Sequence, residues 1–420
     1  MKKILVVFFI VIISVYSLSA QSEAGAIWLL INPGARPAGM GEAGAAIADD
    51  AYASYWNPAG LGFLRGREVA LTHTNWLPNL ASDIYYEFVG YRHFVKNVGT
   101  LGGNLVLMNL GEQDRTDEYG NFLGTFSSYM MAITGSYGTA LSRTSAIGIN
   151  IKMIYQHLTD QGAGAELGKG TSTNFAFDVA YMKKQFLTKN LTFGATIANI
   201  GPKIAFIDVN QADPMPTNLK MGFNYTFGGE FNRVTIAYDV NKLLVASYPN
   251  RDIDGDERVG YYNENGHYVG AAGQYNKNGQ LEAAHTDDWY FGMFSSWIDD
   301  WLLLYDSEAD GIGKDVGDGK NQYGKKADED GDTNDGSLMR EIEKLNHNLG
   351  VEYWYSDLFA IRIGCIYDKT GKILMNGKWP VPTFGAGLRY AGLGLDFGYT
   401  AGEAGHPRAN TMIFSLNMKF

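Results

Sequence analysis

The stretch 349–420 constrains this chain more than any other, because apolar and polar side chains alternate along it almost without a break. Leu393, Leu395, Phe397 and Tyr399 share one parity, and Gly394, Asp396, Gly398 and Thr400 share the other. Met412, Phe414, Leu416, Met418 and Phe420 likewise oppose Ser415, Asn417 and Lys419. Alternation at period two marks β-strands. In a water-soluble sheet, such as a secreted β-sandwich, the apolar parity would face a core. Here nearly every candidate strand carries that parity, and no helical layer is evident to cover it. An all-β, transmembrane, antiparallel β-barrel accounts for the pattern, with its apolar face toward lipid and its polar face toward a lumen.

The same rhythm recurs upstream. Clear strands are expected at 101–109, 145–156, 175–181, 191–199, 218–227 and 233–240, and less regular ones at 68–76, 84–94 and 129–139. With five more after 346 the tally is about 14, an even number as a closed bacterial barrel requires. Lys2 and Lys3, the apolar run 4–15 and a small-residue end at Ala20 read as a signal peptide over 1–20. No later stretch reaches the 18 or so consecutive apolar residues of a membrane helix. Residues 21–66 lack alternation and are rich in Gly, Ala and Pro, which predicts a compact segment folded into the lumen as a plug, ahead of a barrel over 67–420. Within it Gly39, Gly41 and Gly44 match the G-x-G-x-x-G spacing of dinucleotide sites. Pro33 and Pro37 occupy the place of the strand that such a site needs, so a turn built on small residues is the better reading. A link over 111–126 is expected to be long and one at 142–144 short. The largest, 248–345, is expected to lie outside the cell, since the short turns of such barrels face the periplasm.

That insertion is acidic. From 250 to 343 there are 22 Asp and Glu against 8 Lys and Arg, a local charge of −14, whereas the whole chain carries −11. The remainder is therefore slightly basic, and nothing resembles the basic surface of a nucleic-acid-binding protein. Asp252, Asp254 and Asp256, then Asp306, Glu308 and Asp310, then Asp328, Asp330 and Asp332 follow the opening of a calcium loop. None has the closing Glu at the twelfth position, so a Ca2+ site and a merely solvated acidic loop both stand. Between them, Trp289, Trp297 and Trp301 lie among aromatics at roughly helical spacing over 289–305. Such a helix would either pack over the barrel mouth or offer a docking face, because aromatics concentrate binding energy. The single cysteine, Cys365, shares the lipid-facing parity of Ile361 and Ile363 and excludes an internal disulfide framework. Glu352, Arg362, Arg389 and Asp396 fall on the lumen parity, where they can pair with one another and anchor the plug. Seven scattered His residues and the absence of G-x-S-x-G and H-E-x-x-H leave an enzyme without support.

Several blocks resemble a known family. Residues 31–36, 40–44 and 56–60, including Arg36, Gly41, Asn57 and Pro58, are similar to the N-terminal signature of the PorV/PorQ family, relatives of the FadL-type outer-membrane transporters. So are 238–245, 350–355 and 384–390 followed by Gly394, Leu395, Asp396 and Phe397. The resemblance implies a FadL-like barrel with an N-terminal plug, placed in the cell outer membrane and working without catalysis in type IX secretion. It further implies that the protein engages the translocon, receives cargo by its C-terminal domain and delivers it to a surface attachment complex containing a sortase. The other function compatible with a FadL-like barrel is uptake of hydrophobic small molecules. The acidic insertion departs from the family pattern.

Overall fold

The computed structural model describes residues 24–78, 80–117, 119–160, 168–206, 212–229, 231–248, 275, 279, 281, 283, 285–299, 342, 344–368, 374–375, 379–402 and 410–420. The expected signal peptide, the three acidic clusters and Trp301 lie outside these residues. Fourteen long strands are present among those described: β1 (Arg67–Asn75), β2 (Tyr85–Val95), β3 (Gly99–Thr116), β4 (Phe122–Ala140), β5 (Ser145–Thr159), β6 (Gly170–Lys184), β7 (Leu191–Ile200), β8 (Asn218–Gly228), β9 (Asn232–Leu243), β10 (Asn346–Tyr355), β11 (Phe359–Tyr367), β12 (Trp379–Tyr390), β13 (Leu393–Thr400) and β14 (Thr411–Lys419). Each pairs antiparallel with the next, and β14 pairs with β1 through Leu71 opposite Leu416, so the sheet has no free edge. Closure is what allows strands to stand in hydrocarbon, where an unpaired backbone group would cost several kcal/mol.

The burial pattern is inside out relative to a soluble protein. On β5, Ile149 and Ile151 are 48% and 66% exposed while Asn150 and Lys152 between them are 1% and 5% exposed. The apolar parity faces outward all the way round, through Leu105, Ile133, Phe223, Ile361, Leu395 and Phe414. This follows from the solvent being lipid. Ile151→Arg should therefore destabilise the barrel by about 2–4 kcal/mol if the site lies near the bilayer midplane. An unfolding titration in lipid vesicles showing no loss would remove Ile151 from the lipid face.

The links at 96–98, 141–144, 185–190, 356–358 and 391–392 and the adjoining ends of β8 and β9 gather at one end, where Arg67 and Phe420 exchange backbone hydrogen bonds of 3.0 Å. The strand ends Asn75 and Tyr85, Thr159 and Gly170, Ile200 and Asn218, Tyr367 and Trp379, and Thr400 and Thr411 lie at the other. Short turns place the first end in the periplasm.

One expectation is corrected. The long link at 111–126 is not a loop: β3 and β4 run on to Thr116 and from Phe122, past an irregularity between Asn109 and Glu112. Beyond the bilayer both faces of a hairpin meet water, so the polar run Glu112, Gln113, Asp114 and Arg115 can be strand without alternating. Of the helix expected over 289–305, Trp289–Ser295 is helical and so is Asp299, with turns between, and 300–305 lie outside the described residues. The successive serines Ser295 and Ser296, whose hydroxyls compete for backbone groups, mark the break between them.

Residues 24–64 enter the lumen and touch strands around its circumference. Their local structure is four short helical turns, at Ile27–Leu30, Ala35–Ala38, Ala53–Trp56 and Pro58–Phe63. Asn57 starts the last by accepting from the Ala59 N–H at 3.1 Å, with Pro58 in the position where a missing N–H does no harm. Trp28, Tyr52, Trp56 and Leu61 pack with Tyr86, Phe88, Met108, Met130 and Ile154 of the wall. The lumen thus carries an apolar band across β2–β5, beside buried polar residues of the same strands such as Arg92, Asn104, Asn150 and Lys152, rather than being polar throughout.

The barrel and plug, with residues 287–294, form one of two compact units. In the other, Ser247–Tyr248 pairs with His285–Thr286, and the Tyr248 and His285 rings stack at 4.9 Å.

Candidate functional site

The densest polar chemistry lies where the plug meets β10–β13. Arg36 donates from Nε to Glu352 Oε2 and from Nη2 to Oε1, both at 2.8 Å, and from Nη1 to Asp49 Oδ1 at 2.6 Å. Arg362 stands directly across the ladder from Glu352 and donates from Nε to its Oε2 at 2.7 Å. Its Nη1 lies 2.9 Å from Asp396 Oδ1, and Arg389 Nη2 holds Asp396 Oδ2 at 2.6 Å. The chain of charges therefore runs from the plug across four adjacent strands. Arg362 can reach from β11 to Asp396 on β13 because the residues of β12 between them are Gly385 and Gly387, and a Cβ at Gly387 would stand within 3 Å of the guanidinium. Trp354 lies beside the network, its ring 5.5 Å from the Arg362 guanidinium carbon and 5.3 Å from that of Arg389.

Glu352, Arg362 and Asp396 are nearly fully buried. Burying charges is costly unless partners and hydrogen bonds replace water, and here each carboxylate is shared by two guanidinium groups. Burial by itself would lower the Arg36 guanidinium, but the carboxylates of Asp49 and Glu352 outweigh it and hold the group above its ordinary value. Beneath Arg36, a cavity of about 430 Å³ opens toward the short-turn end and is lined by Arg36, Asp49, Asp50, Arg233, Arg389 and Lys419. Burial, with Glu68 and Asp49 nearby, pushes the Asp50 carboxyl up to about 7.

Other contacts pin the plug round the rest of the wall. Gly44 and Ala45 N–H groups donate to Asp239 Oδ2, each at 2.7 Å. Gly41 donates to Thr383 Oγ1 at 2.8 Å, and its carbonyl accepts from Asn348 Nδ2 at 2.6 Å. Asn57 Nδ2 donates to the Ala45 carbonyl at 2.8 Å. On the opposite side, Lys152 pairs with Asp178 at 2.9 Å, and Asn150 bridges Asp178 to the Ser54 carbonyl. Lys220 donates to Asn32 at 2.8 Å and stands 4.6 Å over the Trp56 ring.

The structure brings Arg36, Glu352, Arg362, Arg389 and Asp396 into one network and places Gly41, Asn57 and Pro58 in the plug. Trp289 meets the outward-facing Phe177 edge-on, ring centroids 6.2 Å apart, and Trp297 is half-exposed. Sequence reasoning missed Asp239, the Lys152–Asp178 pair and Lys220. Their signal was available, since each is a charge on the lumen parity of its strand.

The family model for the type IX secretion system protein PorV matches residues 20–250, more than half of the chain. None of the curated proteins matches. Among solved structures, the toluene transporter TodX of P. putida is similar at 10% identity, over 92% of this chain and 98% of that one, with a TM-score of 0.49. The Ralstonia pickettii toluene transporter TbuX is similar at 10% identity over 92% and 98%, TM-score 0.45. A Pseudomonas aeruginosa FadL homologue is similar at 11% identity over 92% and 97%, TM-score 0.44. A closed fourteen-stranded outer-membrane barrel filled by its own N-terminal segment, this chain belongs to the PorV family of type IX secretion system proteins.

Proposed function

We propose that this protein binds the C-terminal domains of secreted cargo as they leave the type IX translocon and carries them to the cell-surface attachment complex. The observation that carries the reading is the buried Arg36–Glu352–Arg362–Asp396 network, which ties the plug to the wall. A barrel filled in this way works through its outer loops, rims and wall rather than through its lumen. Its role is that of a carrier without chemistry of its own, in which affinity for a protein signal replaces a solute path.

Affinity capture of the tagged protein from crosslinked cells should recover the translocon and proteins sharing a C-terminal domain. Deletion should leave those proteins trapped inside the cell or unattached to it. Recovery of neither, with uptake of a hydrophobic solute lost on deletion, would overturn the carrier reading in favour of a channel.

A further inference from the structure

The outward face of the wall is not uniformly convex. A cavity of about 700 Å³ opens on it across six consecutive strands, β11–β14, β1 and β2. Its apolar surface comes from the lipid-facing parity, with Leu71, Leu388, Leu395, Phe414 and Leu416 each about 40–55% exposed. These residues occupy two adjacent rows of the sheet. Leu388, Leu395, Leu416 and Leu71 stand side by side in one row; Ala386, Phe397, Phe414 and His73 form the next row toward the long-loop end. Ala386 is the small residue of its row and lines the hollow. The volume falls in the range of sites that hold one small ligand.

One edge of the hollow is charged. His73 and Glu87 face each other across β1 and β2 on the same outward parity, His73 Nδ1 lying 2.7 Å from Glu87 Oε1. Both are well exposed, at 52% and 39%. They lie one outward step below Tyr85 and Tyr399, tyrosines that face outward near the long-loop end of β2 and β13. Outward tyrosines of this kind mark the head-group level of a membrane barrel. An ionisable pair on the lipid face is otherwise unfavourable, and its cost is small only at that level. The hollow is thus amphipathic in the direction of the membrane normal: hydrocarbon below, a carboxylate and an imidazole above. This is the polarity of a lipid standing in the outer leaflet, and the hollow is continuous with the lipid-facing wall on both sides.

We propose that this hollow is a binding site for one phospholipid with an amine head group, whose acyl chain lies along Leu71, Leu416, Leu395 and Leu388 and whose ammonium pairs with Glu87. A carboxylate at the rim selects a cationic amine over a purely anionic head, since a charge-assisted hydrogen bond forms with the first and repulsion with the second. The site is independent of cargo binding and of the plug.

The test uses the full barrel in detergent micelles, titrated with phosphatidylethanolamine or phosphatidylglycerol and weighed by native mass spectrometry. The intact protein should retain one phosphatidylethanolamine about tenfold more tightly than phosphatidylglycerol, equivalent to about 1.4 kcal/mol. Ala386→Trp, which fills the hollow from the lipid side, should abolish that retention, and Glu87→Gln should erase the preference between heads while leaving acyl binding. Ile236→Trp, an outward substitution elsewhere on the wall, should change neither, and unboiled gel migration reports that each variant is folded. Equal retention of both lipids by the intact protein, or retention unchanged in Ala386→Trp, overturns the proposal. So does loss in Ala386→Trp of a second copy or a partner barrel with lipid count unchanged, which would make the hollow a protein contact.

Discussion

Glu352→Ala should loosen the plug while leaving the barrel closed. The carboxylate is 1% exposed and is the only group that joins the plug guanidinium of Arg36 to the wall guanidinium of Arg362 among the described residues. Removing it leaves two buried or half-buried cations facing each other without the anion between them, and breaking a buried pair from one side typically costs about 3–5 kcal/mol. Arg362 keeps Asp396 and the Ala386 carbonyl, and Arg36 keeps Asp49, so the strands have no reason to part. The loss should fall on the plug. Two readouts separate it from general destabilisation: urea unfolding followed by tryptophan fluorescence in micelles, and ion current across a planar bilayer. The intact protein should carry no steady current, and the variant should flicker open. Arg36→Ala should cost less, because Glu352 then keeps Arg362 as its counter-ion. If Glu352→Ala unfolds at the wild-type midpoint and stays silent in the bilayer, the network does not hold the plug.

How much of this was legible depends on what each pattern is coupled to. The outward faces of β5 and β8–β14 were readable because lipid and lumen differ so sharply that parity survives in the chain, and Glu352, Arg362 and Asp396 followed from the same parity. Along β2 and β4 the inward face is also apolar, through Tyr86, Phe88, Met130 and Ala132, so runs such as Met130, Met131, Ala132 and Ile133 hide their alternation. Those were two of the three irregular strands, β1 being the third. The hairpin of β3 and β4 beyond Asn109 was unreadable for the opposite reason, since both its faces meet water. In the plug no period exists at all. That Arg36 is the residue reaching Glu352 is decided by a chain path through the lumen, which leaves no repeat behind.

The glycines Gly39, Gly41 and Gly44 show what a nucleotide-like spacing means in a lumen, and Gly41 carries the second large expected effect. Its φ is +64°, in the left-handed region, and a Cβ there would collide with the carbonyl oxygens of Cys365 and Leu349. The wall answers with its own bare positions: at Gly350 and Gly364 a Cβ would meet the backbone of Met40 and Gly41. Plug backbone and wall backbone are thus in direct contact, and the Thr383 and Asn348 hydrogen bonds close on either side. Gly41→Val adds a β-branched side chain to a left-handed residue, about 1–2 kcal/mol by itself. The collision adds about 1–3 kcal/mol more, because carbonyls fixed in a sheet ladder cannot yield as a flexible side chain would. Moving the plug away relieves both terms at the expense of two hydrogen bonds. The variant should therefore form a barrel of normal gel migration whose plug is cut rapidly by chymotrypsin after Tyr52 and Trp56, both buried in the intact protein. Gly120→Val is the matched control: its φ is +83° but nothing lies within 4 Å of the added atom, so it carries backbone strain without the contact. If both variants resist chymotrypsin equally well, the close approach at Gly41 has no part in seating the plug.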